Sequence, residues 1–128
     1  MAKRRMTKLS LLADLRKLLA RPDTKVVQRR QKWCGQSTWL ETGVGADRAI
    51  TNITIFMDPR RDGKIRLVIH ELLHIHMAIH LGVDRRMVYE LEEVAICAWE
   101  NKLYQWLHDS KRHAALESWN QAIERKLR

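Results

Sequence analysis

Apolar positions in this chain follow a helical spacing at both ends and a strand-like alternation near the middle, and the change of rhythm divides the chain into elements. Leu9, Leu12, Leu15, Leu18 and Leu19 recur at three- and four-residue spacing behind Thr7. This predicts an amphipathic helix capped by Thr7 and ending before Pro22. From Lys25 to Met57 the residues favour strands: Val26 and Val27, then Ser37 to Leu40, then Ile50 to Met57, where Ile53, Ile55 and Met57 alternate with Thr54 and Phe56. The turn Asp58-Pro59-Arg60-Arg61-Asp62-Gly63 leads into a long helix ending at Gly82. Asp84 is placed to cap another, running to about His108, and a last amphipathic helix covers Ala114 to Leu127. The expected fold class is α+β, with a small antiparallel sheet of about three strands packed on two long helices and an amphipathic helix at each end.

The first long helix is apolar nearly all round, through Ile65, Leu67, Val68, Ile69, Leu72, Leu73, Ile75, Met77 and Ile79. Such a helix is buried. It nevertheless contains HELLHIHMAIH, residues 70 to 80, with four histidines and one glutamate. At about 100° per residue, His70 and His74 project within about 40° of each other one turn apart, so two imidazole nitrogens can reach one tetrahedral ion. Glu71 lies beside them, placed to act on a water at that ion, which is the mechanical content of H-E-x-x-H. Burying His, Glu and His together is costly without a partner such as a metal.

A third ligand decides the class of site. His80 has the spacing of the third histidine in H-E-x-x-H-x-x-G-x-x-H, but Met77 stands where that pattern needs glycine. Met favours continuing the helix, which carries His80 about 9 Å beyond His74 and roughly 120° around the axis. His76 and His80 form a second i, i+4 pair, expected at the edge of the core. On the next helix three glutamates compete. Projection places Val88, Ala95, Ile96, Trp99, Leu103 and Trp106 within about 60° of Glu92, with Glu93 and Glu90 roughly 100° and 160° away. Glu92 is the expected third ligand, its alternatives being an ion pair with Arg66 or a side chain reaching out to the surface.

Charge adds a second theme. The net charge of +9 arises within residues 1–33, which hold eleven Lys/Arg against Asp14 and Asp23, while the remainder holds thirteen of each sign. Any long-range attraction for nucleic acid or an acidic partner is expected from this basic segment. Cys34 and Cys97 are too few for a disulfide framework and lack the paired spacing of a thiolate metal site. No apolar run is long enough to span a bilayer, so no membrane role and a cytoplasmic location are expected. The 128 residues suit one domain, 1–128, with a motif-bearing core at 50–107.

HELLH followed by a helix carrying Glu92-Glu93-Val94-Ala95 resembles the HExxH and E-x-x-A helices of the gluzincin metallopeptidases. In particular it resembles the small single-domain metallopeptidase-like proteins of phage and prophage genomes, which would make the compartment a host cytoplasm. The resemblance implies Zn²⁺ as cofactor, His70, His74 and Glu92 as metal ligands, Glu71 as general base, and Ile50 to Met57 as the edge strand along which a protein or peptide substrate pairs. It also implies an oxyanion-stabilising Tyr or His, for which Tyr89, Tyr104, His108 and His113 stand equal. The expected function is zinc-dependent peptide hydrolysis. The alternative is a non-catalytic zinc-containing regulator that binds nucleic acid through residues 1–33.

Overall fold

The computed structural model describes residues 7–30, 35–44, 47–60, 63–81, 85–109 and 112–127, with side chains at all of these except 81 and 85–92. The order is α1 (Lys8–Ala20), β1 (Thr24–Gln28), β2 (Gly35–Thr42), β3 (Ala49–Met57), α2 (Lys64–Leu81), α3 (Arg85–Leu107) and α4 (His113–Glu124). The α+β class is as the periodicity predicts. Thr7 caps α1 through a reciprocal pair, its Oγ1 accepting from the Ser10 N–H at 3.0 Å and its own N–H donating to Ser10 Oγ at 2.8 Å. Leu11, Leu12, Leu15, Leu18 and Leu19 are the buried face of that helix, and Leu9 is exposed.

The sheet departs from expectation. Its strand order is β1-β3-β2, with β1 and β3 parallel and β2 and β3 antiparallel, so it is mixed rather than antiparallel. The distribution of apolar residues explains the order. β3 buries Ile50, Ile53, Ile55 and Met57 and takes the centre, whereas β2, rich in Gln, Ser, Thr and Glu, takes an edge. Ile50 to Met57 is therefore the central strand, not the substrate-facing edge that the resemblance implies.

An extra residue in β3 lets Ile50 and Ile53 face the same side. Thr38 opposes Thr54 while Leu40 opposes Thr51, which inserts one residue on the β3 side. Asn52 absorbs it at φ 52°, a left-handed conformation that asparagine tolerates. The Asn52 N–H donates to Asp23 Oδ2 at 3.0 Å, and Arg21 holds that carboxylate through two hydrogen bonds while also donating to the Ile50 carbonyl at 2.9 Å. On the outer side of β1 the C-terminal tail forms a bridge, Val26 with Leu127, and the Val26 N–H donates to the Lys126 carbonyl. The outer edge of β2 has no such cover among the described residues.

Helix α2 is the axis of the domain. It touches α1, β2, β3, α3 and α4, and Val68, Ile69, Leu72, Leu73 and Ile75 are buried to 3% exposure or less. Among the described residues no helix is long and apolar enough to cross a membrane.

Candidate metal centre

Two helices and one strand end build the site. Helix α2 carries His70, Glu71 and His74 on the stretch nearest β2 and α3. The imidazoles, one turn apart as the spacing predicts, have ring centroids 5.0 Å apart. Facing them from α3, the Glu93 carboxylate spans the pair: His70 Nε2 lies 2.9 Å from Oε1 and His74 Nε2 lies 2.9 Å from Oε2. Glu71 and His74 are buried, while Glu93 retains 36% side-chain exposure and opens the site on one side.

The orientation of His70 is fixed from behind. Its Nδ1 lies 2.6 Å from Oε1 of Glu100, a residue only 9% exposed, and Oε2 of the same carboxylate is held by Arg66. Nδ1–H thus donates to Glu100, and Nε2 is the nitrogen turned toward Glu93. Burial opposes charging of His70, but the Glu100 hydrogen bond and the fields of Glu93 and Glu71 outweigh it and raise its pKa above the ordinary value. Glu100 moves the other way: desolvation opposes its ionisation, yet His70 and Arg66 hold it below the usual carboxylate range. Burial pushes Glu71 up, aided by Glu93 and resisted by His74, His70 and a long 3.5 Å hydrogen bond from Ser37 Oγ.

Ser37 belongs to β2, and the close approach of that strand rests on glycine. A Cβ at Gly35 would meet Leu67 Cδ2 at 2.8 Å and Cγ at 2.9 Å, with Glu71 Cγ at 3.4 Å. The strand therefore begins pressed against the helix beside Glu71 because residue 35 has no side chain.

The donor set suits a divalent zinc. Imidazole nitrogens and a carboxylate oxygen are ordinary zinc donors, and a tetrahedral ion about 2.1 Å from each would separate them by about 3.4 Å, a few tenths beyond the distances present. Glu93 Oε2 is buried and accepts no hydrogen bond from the described residues, although His74 Nε2 is beside it. A proton on His70 relieves part of this crowding of lone pairs. A cation between the two nitrogens and the carboxylate would relieve all of it.

The expected residues fall as follows. His70, Glu71 and His74 converge. Glu92 lies on α3, but its side chain is outside the described residues; Glu93 is the acid brought to both histidines. Of the expected apolar stripe on α3, Ile96 and Leu103 are buried and Trp106 packs against the core, whereas Trp99 is 36% exposed and carries Lys102 over its ring. Glu100 continues the buried face at positions 96, 100, 103 and 107, and Glu93, half-buried, extends the same row. That alternation of three and four was the signal available for both glutamates. Arg66 pairs with Glu100, and α2 runs unbroken through Met77 to Leu81, with the His80 ring beside His76 at 4.3 Å. Among the oxyanion candidates, Tyr104 packs on His108 and under Arg66, His113 starts α4, and the Tyr89 side chain is outside the described residues.

Cys97 also reaches the site, one turn beyond Glu93, with Sγ 4.0 Å from Glu93 Oε1. Burial and the Glu93 and Glu100 carboxylates raise its thiol pKa. Comparison with models of protein families, with curated proteins and with solved structures finds no match for this chain.

Proposed function

We propose that this protein is a zinc-dependent metallopeptidase in which His70, His74 and Glu93 hold the metal and Glu71 is the general base. The observation that carries this reading is the Glu93 carboxylate set across both histidine nitrogens of an HExxH helix, 2.9 Å from each. Zinc in this position would supply a Lewis acid that polarises a peptide carbonyl and makes a water acidic near neutral pH. Glu71 takes the proton of the attacking water on its carboxylate and returns it to the amine that leaves. Glu100, backed by Arg66, holds the tautomer of His70. The uncovered edge of β2, rather than β3, offers main-chain groups along which an extended peptide can lie beside Glu71.

The test is metal analysis of the purified protein together with mass-spectrometric screening of a broad peptide library. About one zinc per chain and cleavage that Glu71→Gln abolishes, with zinc and fold retained, are expected. Zinc retained by a wild type that cleaves nothing would turn the reading to a non-catalytic metal protein.

A further inference from the structure

The same centre has a donor that peptide hydrolysis does not need. Three ligating atoms, one each from His70, Glu93 and Cys97, lie within 4.8 Å of one another, as do three from His70, Glu71 and His74. His70 is common to both groups. Cys97 approaches from the exposed side of α3, and Glu71 lies buried on α2. A tetrahedral zinc with a sulfur ligand at about 2.3 Å and an oxygen ligand at about 2.1 Å separates the two by about 3.6 Å. The Cys97 sulfur is 4.0 Å from Glu93 Oε1, a few tenths beyond that separation. Sulfur is a favoured zinc donor, and a zinc with four protein ligands has no position left for water.

Building on the metal reading above, we propose that Cys97 is a fourth, displaceable ligand, so that the protein rests with its metal capped by the thiolate and becomes reactive when the sulfur steps aside. Capping releases the thiol proton to solvent. Uncapping needs only a competing donor or a substrate group able to displace the sulfur. Location on an exposed helix face, one turn from Glu93, makes that exchange possible without moving the helices.

Cobalt(II) tests this without reliance on activity. The 128-residue chain with Cys34→Ser, which removes the other thiol, is loaded with cobalt and its absorption recorded. A sulfur-to-cobalt charge-transfer band in the near ultraviolet is expected, lost on adding Cys97→Ala while the visible bands of bound cobalt remain. Zinc affinity should fall by about 10-fold in that variant, an effect of the size seen when metal sites are disturbed. Because Cys97 is exposed, its replacement is not expected to unfold the protein, and circular dichroism verifies this. Cobalt bound without the charge-transfer band would overturn the capping role and leave the metal site standing. A band that survives Cys97→Ala would also overturn it. Failure to bind cobalt or zinc at all would overturn the site itself.

Discussion

Helix α2 carries two histidine pairs of the same spacing, His70 with His74 and His76 with His80, and among the described residues the first has the Glu93 carboxylate across both its nitrogens while the second feels Asp14. Ring centroids are 5.0 Å apart in one pair and 4.3 Å in the other, so local geometry hardly separates them. Their surroundings do. His70 and His74 face Glu93, with Glu71 beside them and Glu100 behind, and the pKa of His70 is raised. His76 is buried, its pKa is lowered by desolvation and by His80, and Asp14 only partly offsets this. The comparison teaches that two imidazoles one turn apart are a common product of helical geometry. What sets His70 and His74 apart is a carboxylate placed 2.9 Å from a nitrogen of each, a donor set able to hold a cation.

The largest expected effect separates the pairs outright. His70→Ala or His74→Ala should remove the single zinc, read by native mass spectrometry, whereas His80→Gln should leave about one per chain. Zinc retained by the first two and lost with His80 would reverse the assignment and require α2 to break near Met77. Next in size is the choice between neighbouring acids. Glu93→Gln should weaken zinc by well over 10-fold, since it removes an anionic ligand, while Glu92→Gln should change affinity little. Competition with a chelator of known affinity measures both.

How far the sequence predicted this site follows from which residues act through local spacing and which through packing. The α2 half of the candidate site was legible because HELLH needs only the helical period to bring His70, Glu71 and His74 together. The other half depends on which face α3 turns toward α2. Projecting its apolar residues centres the predicted face on Glu92, with Trp99 and Trp106 inside it. In the fold, Ile96, Leu103 and Leu107 are buried, Trp106 packs against the core, Trp99 is solvated, and Glu93 and Glu100 meet the histidines of α2. Alternation predicted β3 well from Ile53 onward. The β1–β3 pairing, which makes the sheet mixed, is a non-local choice that strand periodicity does not encode.

A smaller effect tests the support behind the first pair. Glu100→Gln keeps the shape of the side chain but removes the charge that accepts from His70 Nδ1 and pairs with Arg66. Zinc should bind about 10-fold more weakly, within the range for residues that orient metal ligands. Nitrogen-15 chemical shifts of the histidine ring should register a loosened tautomer preference at His70, a readout that general destabilisation would not move. An unchanged His70 spectrum with unchanged affinity would remove Glu100 from the site.

The smallest effect is a difference of sign with pH, measured on chelator-treated protein so that metal release does not mask it. An unfolded histidine titrates near its ordinary value of about 6.5. Folded His70 has a raised pKa, so the native state binds its proton more tightly: the stabilisation is fully present below about pH 6.5 and is lost as pH rises through the higher folded value. Folded His76 has a lowered pKa, so its contribution is present above about pH 6.5 and declines as the solution is acidified toward the lower folded value. Urea unfolding across pH 5 to 8 reads both slopes. His70→Gln should flatten the loss on the alkaline side, and His76→Gln should flatten the loss on the acid side, irrespective of the stability each variant has at neutrality. If both substitutions altered the same limb, the two pairs would share one electrostatic environment, and the carboxylates of α3 would not be what distinguishes them.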